Sequence, residues 1–171
     1  TLETRGAHMP DLKIPVDEKF TIYFKKNGGK FIYCEDDAEV SDALQNIISE
    51  NNWQNHLFYT LDKRLQGRFK QDKLQFTELR NESDIFLTTC EHLVAQNGSI
   101  LVCSNQIKEK KLSELPSNLI VYATTSQLVD SISEGLQIIK ERYKKNIPNN
   151  ITTQQHFAPT PENKNKFLTY G

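Results

Sequence analysis

Residues 86–106, FLTTCEHLVAQNGSILVCSNQ, constrain the fold of this chain more than any other segment. Two short apolar runs in it, 92–95 and 100–103, flank the dipeptide Asn97-Gly98. Asn-Gly is typical of a two-residue β-hairpin loop, because a type I′ turn needs a positive φ at both of its central residues. The segment therefore predicts an antiparallel hairpin whose strands end in small polar residues.

Alternating helices and strands precede the predicted hairpin. A helix is expected to follow Pro15, and the apolar runs at 30–34 and 84–88 are typical of strands. Between these runs, Asp36 and Glu39 form the start of a second helix, whose apolar residues recur at helical spacing.

The alternation continues after the hairpin. Residues 119–123, LIVYA, form a continuous apolar run of the kind that parallel sheets bury on both faces. Thr124 and Gln127 form a T-x-x-Q capping box, and the spacing beyond it predicts a long helix to Tyr143. The sequence therefore predicts an α/β fold: a mostly parallel sheet flanked by helices, with an inserted β-hairpin.

The ends of the chain differ in composition from its centre. Residues 1–9, TLETRGAHM, look like an expression-tag scar and are left out of the fold argument. Residues 10–146 have the length of a single domain. Residues 147–171 are polar, rich in Asn and Pro, and poorly periodic, so we expect a C-terminal tail of the same domain. Such a tail lies on the surface or needs a partner to order it.

Charge and hydropathy exclude two classes of partner. The formal net charge of -1 provides no field that would attract nucleic acid or an anionic membrane. No apolar run approaches the ~20 residues that span a bilayer, and the chain does not open with a signal peptide. We therefore expect a soluble, cytoplasmic protein without nucleic-acid or membrane partners.

The cysteines and histidines do not form a metal-binding pattern. Cys34, Cys90 and Cys103 are dispersed and contain no C-x-x-C spacing, which argues against a disulfide framework or an iron–sulfur site made by this chain alone. His56 and His156 are isolated from other ligand-type residues. We predict no metal site and no bound cofactor.

Small hydroxyl and amide residues follow two of the predicted core strands. Open α/β sheets hold ligands at the carboxyl ends of their strands. The second cluster is also expected to begin the long helix, whose free N–H groups suit a carboxylate or phosphate, although such residues also serve simply as helix caps. The candidate ligand-binding residues are Thr88, Thr89, Ser104, Asn105, Thr124, Thr125 and Ser126.

Three consecutive residues at the predicted turn are weaker candidates for chemistry. Glu91 can orient a substrate hydroxyl, and Cys90 is the one cysteine predicted outside a strand. His92 can act as a base near neutral pH. For each of them a structural role is the simpler interpretation. Glu91 and His92 point to opposite faces of a strand, so they are not expected to form an acid–base pair.

The hairpin segment and the motifs that follow it resemble the sequence pattern of a known protein family. The run from Thr88 to Ile100, TTCEHLVAQNGSI, resembles the signature of the LUD (lactate utilisation) domain, roughly G-I-T-x-A-D-x-A-I-A-E-T-G-[ST]-I. Leu115-Pro116, the run 120–123 and Gln127-Leu128-Val129 follow in the family's order. The resemblance extends from about Lys13 to the C-terminus and is greatest to short bacterial members that lack ferredoxin motifs.

The resemblance implies a fold like that of the NagB/RpiA/CoA-transferase superfamily. It also implies a role in oxidising L-lactate to pyruvate, as the cluster-free subunit that acts with iron–sulfur partner proteins. A small organic acid is the implied ligand. Two positions depart from the family pattern: Gln96 replaces a glutamate, and 152–157 lacks the usual Gly and Asp. Both departures favour a subunit that is not catalytic by itself.

Two other classes of function stay open from the sequence. One is an acyl- or CoA-handling transferase, or a sugar-phosphate isomerase, of the same superfamily, which would depend on Glu91 or Cys90. The other is a non-catalytic interaction module whose polar tail docks on a partner.

Overall fold

Two sheets organise the molecule. The computed structural model describes residues 14–157 and the backbone of the strand Phe167–Tyr170, so the predicted tag at 1–9 lies outside the described residues. The helices are α1 (Val16–Lys26), α2 (Asp37–Glu50), α3 (Lys63–Arg68), α4 (Ser104–Ile107) and α5 (Ile132–Tyr143). The strands are β1 (Lys30–Tyr33), β2 (Phe58–Tyr59), β3 (Ile85–Thr88), β4 (His92–Val94), β5 (Ser99–Val102), β6 (Asn118–Ala123), β7 (Leu128–Val129), β8 (Thr152–Gln154) and β9 (Phe167–Tyr170).

The larger sheet is parallel throughout and has the strand order β1-β9-β6-β3-β2. The smaller sheet has the order β7-β4-β5-β8, with β4 antiparallel to β5 and parallel to β7. The predicted class is confirmed: this is a mixed α/β fold with a parallel sheet, flanking helices and an inserted hairpin.

Alternate residues of the central strands enter two different cores. Ile85 and Leu87 of β3 pack with the apolar face of α2, whereas Phe86 between them packs with the hairpin and with Phe20 of α1. A strand buried on both faces needs a continuous apolar run, which is the pattern that the sequence shows here. The smaller sheet in turn packs its far face on α5 through Ile139.

Helix α2 follows the local rules that predicted it. The Asp36 side chain caps it by accepting a hydrogen bond of 2.9 Å from the Glu39 N–H. Its five buried residues are those that the helical spacing indicated: Val40, Ala43, Leu44, Ile47 and Ile48.

The hairpin loop differs from the expected type I′ turn. Gly98 has a φ of +69°, but Asn97 does not share this left-handed conformation, and Val94 pairs with Ser99 across a four-residue loop. The cause is the neighbouring β7 segment. The N–H groups of Ala95 and Gln96 donate to the carbonyls of Val129 and Asp130, which holds the chain extended beyond β4.

The long helix begins later than predicted. The capping box of Thr124 and Gln127 forms, but it closes a short 3₁₀ turn, and helix α5 begins at Ile132 after the Ser131 cap. Leu128 and Val129 instead form β7 and pair with β4. These backbone pairings to the sheet outweigh the local helical pattern.

Two stretches of the C-terminal segment, for which a polar tail is expected, pair with the sheets. Residues 152–154 form β8 against β5, and residues 167–170 form β9 between β1 and β6. Without β9, the facing backbone groups of β1 and β6 would have no strand to pair with. Phe157 is also buried, with 1% of its surface exposed. Long-range strand pairing orders a segment whose composition alone suggests a tail.

Within the described ranges 14–157 and 167–170, no helix is both long and apolar enough to cross a membrane.

We expect Gly98→Ala to lower the free energy of unfolding by about 2–4 kcal/mol. A Cβ at Gly98 would clash with backbone atoms of Tyr23 and Phe24, and the positive φ adds strain. Urea denaturation measures the change. The matched control is Gly67→Ala in α3, where no atom lies within 4 Å of the new Cβ. That variant should be neutral or stabilised by about 0.5–1 kcal/mol. Equal stability of Gly98→Ala and wild type would contradict the tight approach of α1 to the loop.

Candidate functional site

A small cavity lies at the carboxyl edge of the parallel sheet, where β3 and β6 end side by side. Its volume is about 240 Å³. The segments that follow these strands line it together with residues of α3, α4 and α5. The lining residues are Arg64, Thr89, Cys90, Glu91, Gln106, Tyr122, Ala123, Thr124, Gln127, Arg142 and Tyr143.

Glu91 distinguishes this cavity from larger hollows of about 390–400 Å³ elsewhere on the surface. It is the one buried carboxylate among residues 14–157, with 4% of its surface exposed. Its N–H donates to the Leu101 carbonyl at 2.8 Å, which continues the hairpin pairing by one residue and fixes the backbone of Glu91.

The two oxygens of the Glu91 carboxylate have different surroundings. Oε2 accepts hydrogen bonds from the amides of Gln106 at 2.8 Å and Asn105 at 3.2 Å, and it lies 3.6 Å from the Cys103 thiol. Oε1 accepts from the Tyr143 hydroxyl at 3.2 Å and lies 3.8 Å from an Arg142 nitrogen. The acceptor positions of Oε2 are therefore occupied by donors from α4 and its N-cap residue, while Oε1 faces α5.

The surroundings keep Glu91 ionised. Burial raises the pKa of the carboxyl, but the hydrogen bonds from Gln106, Asn105, Tyr143 and Cys103 more than offset it, so the pKa lies below its ordinary value. A carboxylate with a low pKa is a weak base and is not a proton donor at neutral pH. In this cavity Glu91 serves as a fixed negative charge and a hydrogen-bond acceptor.

Helix α4 positions the donors to Glu91. The Gln106 side chain accepts a hydrogen bond of 2.8 Å from the Cys103 N–H, which leaves its NH₂ group directed at Oε2. Cys103 caps helix α4, whereas the sequence analysis predicted it to lie in a strand. Burial, with the nearby Glu91, raises the pKa of its thiol to about 11, so the thiol stays protonated and can donate.

The cations of the cavity come from α3 and α5. Half of the Arg142 side chain is exposed, at 51%, so its guanidinium spans the boundary between Glu91 and solvent. Arg64 makes hydrogen bonds to both carboxylate oxygens of Asp62, at 3.1 and 3.0 Å. Asp62 therefore neutralises part of the Arg64 charge, and Arg142 is the cation closest to Glu91.

Cys90 and His92 do not have the environments that chemistry would need. Burial, with Glu91 beside it, raises the pKa of the Cys90 thiol, so Cys90 is not a thiolate nucleophile. His92 donates from Nδ1 to the Gln127 carbonyl at 3.1 Å, and its buried Nε2 has no partner. Burial lowers the pKa of His92, which keeps the imidazole neutral. It lies outside the cavity lining.

The structure brings part of the predicted ligand set together. Thr89 and Thr124 line the cavity, and Asn105 reaches it through its hydrogen bond to Glu91. The Thr88 hydroxyl donates to the Thr89 carbonyl, and Ser104 does not line the cavity. Thr125 and Ser126 are exposed.

The expected helix N-terminus at Thr124–Ser126 is replaced by a short 3₁₀ turn, because α5 begins seven residues after Thr125 and presents its other end to the cavity. That end supplies Arg142 and Tyr143, which the sequence analysis places on the long helix without assigning them to a site. Arg64, Gln106 and Gln127 were also missed. Arg64 follows β2, another strand that ends at this edge, and that position was the available clue.

No metal centre is evident in the part of the chain that the structure describes. Across residues 14–157 and the strand Phe167–Tyr170, no three His, Cys, Asp or Glu side chains are grouped closely enough to hold a metal ion.

The molecule is therefore an α/β domain with a polar cavity at the carboxyl edge of its parallel sheet. The sequence pattern of the LUD domain matches residues 18–165, which is most of the chain. The protein therefore belongs to the LUD domain family, as its motifs indicated. No curated protein sequence matches it significantly.

A solved structure shares this architecture. A DUF162 family protein from Deinococcus radiodurans superposes with a TM-score of 0.66 at 14% identity, covering 91% of this chain and 96% of that one. At this identity the likeness concerns the fold alone. Ribose 5-phosphate isomerase from Plasmodium falciparum matches with a TM-score of 0.31 at 15% identity, over 68% of this chain and 54% of that one.

Glu91 should make stability depend on pH. Because its folded pKa lies below the ordinary value of 4.5, its contribution is fully present above that pH and is lost as the pH falls through the folded pKa. Glu91→Gln lacks this contribution. We expect wild type to lose more free energy of unfolding than the variant between neutral pH and pH ~3, as measured by urea denaturation. Glu141→Gln, which removes an exposed carboxylate from α5, should behave like wild type. Parallel curves for wild type and Glu91→Gln would contradict the prediction.

Proposed function

We propose that this LUD domain binds a small 2-hydroxy acid in the Glu91 cavity and serves as the cluster-free subunit of a cytoplasmic L-lactate oxidation system. The observation that carries the proposal is the pairing of a cation, Arg142, with an acceptor, Glu91, inside a small polar cavity at the strand ends. Family membership supports the lactate assignment, and the cavity supports the ligand class.

The size of the cavity favours a small ligand. Its volume of about 240 Å³ lies below the range of about 300–1,000 Å³ that is typical of sites for drug-sized ligands. A three-carbon acid fits such a space, whereas the body of a coenzyme A molecule would have to remain outside.

The charge of the cavity favours a carboxylate at its mouth. A guanidinium has five N–H donors in a planar fork that matches carboxylate geometry. The Arg142 nitrogen lies 3.8 Å from Glu91 Oε1, beyond hydrogen-bond distance, so Glu91 does not compete strongly for those donors. Thr89 and Thr124 line the same cavity, and their hydroxyls are further neutral hydrogen-bonding groups for a ligand.

The oxidation itself requires an electron acceptor. Conversion of lactate to pyruvate breaks the C2–H and O–H bonds and releases two protons and a pair of electrons. The cavity side chains bind and orient a ligand but do not take up an electron pair. In our proposal the iron–sulfur proteins that act with this family accept the electrons, and this chain presents the substrate to them.

We expect L-lactate to bind the wild-type chain, and Arg142→Ala to weaken that binding about tenfold or more. Loss of a charged hydrogen bond costs about 1.5–3 kcal/mol, and 1.4 kcal/mol is a factor of ten in affinity. Isothermal titration calorimetry measures both proteins. Lys140→Ala removes an exposed cation from the same helix and should bind lactate as wild type does. Absence of lactate binding to wild type, or an equal loss in both variants, would overturn the assigned site.

The cellular role can be tested separately. A native host strain that lacks this chain should grow poorly on L-lactate as carbon source and normally on pyruvate. Wild type should restore growth on lactate, and Arg142→Ala should restore it less well than Lys140→Ala. Unimpaired growth of the deletion strain on lactate would remove the protein from lactate oxidation.

A further inference from the structure

We propose that Glu91 makes the cavity selective for the reduced ligand, so that it binds a 2-hydroxy acid and rejects the corresponding 2-oxo acid. The inference rests on the proposed function and adds a rule of specificity to it. Its basis is the unequal occupation of the two Glu91 oxygens.

One oxygen of Glu91 retains room for a ligand. Oε2 is surrounded by Gln106, Asn105 and the Cys103 thiol. Oε1 accepts from the Tyr143 hydroxyl at 3.2 Å, and its other close neighbour is the Arg142 nitrogen at 3.8 Å. An ionised carboxylate oxygen has about two acceptor positions. Oε1 therefore keeps one position for a further donor, in a residue that lines the cavity.

The charge state of Glu91 decides which ligand can fill that position. Its hydrogen bonds favour the ionised form, which accepts hydrogen bonds and cannot donate one. The hydroxyl of a 2-hydroxy acid supplies a donor. The keto oxygen of a 2-oxo acid brings an acceptor against an acceptor, which leaves both groups desolvated and unpaired. Sites built to hydrogen-bond a ligand hydroxyl reject analogues that lack it.

The distance between Arg142 and Glu91 also suits this ligand class. The guanidinium nitrogen and Oε1 are 3.8 Å apart, which a ligand with its carboxylate and its hydrogen-bond donor on adjacent carbons can bridge. A 2-hydroxy acid has this arrangement. Its oxidation turns the donor into an acceptor beside Glu91, so the product loses affinity and leaves the cavity.

The test compares L-lactate with pyruvate on wild type and on Glu91→Gln by isothermal titration calorimetry. Wild type should bind lactate at least about tenfold more tightly than pyruvate. In Glu91→Gln the amide oxygen can still accept from Gln106 and Asn105, while its NH₂ group replaces Oε1 and can donate to a keto oxygen. The preference should therefore disappear or reverse.

Each outcome bears on a different claim. Equal binding of lactate and pyruvate to wild type would overturn the selectivity while leaving the organic-acid site intact. A lactate preference that persists in folded Glu91→Gln, as checked by thermal unfolding, would show that another group selects the ligand. Absence of binding of either acid to wild type would overturn both the selectivity and the proposed function. The wild-type comparison stands even if the variant fails to fold.

Discussion

A carboxylate that folding removes from water must receive hydrogen bonds that replace its hydration, and Glu91 receives them from two helices far apart in sequence. Gln106 and Asn105 contribute from α4, and Tyr143 contributes from α5. These contacts join the hairpin to the C-terminal turn of α5 at the point where the parallel strands end. The Glu91 carboxylate therefore lines the cavity and also holds its walls together.

This double role explains why Glu91 is better suited to binding than to proton transfer. Each hydrogen bond that compensates for burial also stabilises the ionised form and lowers the pKa of the carboxyl. A general base would need a pKa near neutral pH, which requires fewer donors and would leave the buried charge poorly compensated. The environment of Glu91 therefore fits the proposed role, in which the chain holds its ligand for a partner.

Local sequence patterns predicted the helices and strands that are determined by residues close together in the sequence. The Asp36 cap and the apolar spacing placed α2, and the continuous apolar run at 119–123 placed β6. The pattern failed where distant strands compete for the backbone. Pairing with β4 makes Leu128–Val129 a strand inside a helical pattern, and pairing with β1 and β6 orders the C-terminal residues. The cavity was predicted only in part for the same reason. Sequence patterns indicate where strands end, which placed Thr89 and Thr124, but they do not indicate which helix end packs against those strands.

The end of α5 that reaches the cavity changes the electrostatics of the site. A helix N-terminus would attract an anion through its free N–H groups, whereas a C-terminus presents carbonyls and the negative end of the dipole. Together with Glu91, this end would repel a carboxylate ligand. Arg142 lies in the last turn of α5 and next to Glu91, so its guanidinium offsets both negative contributions at once. The anion binding that we propose for this edge would therefore depend on Arg142, whereas the sequence pattern pointed to backbone N–H groups and hydroxyls.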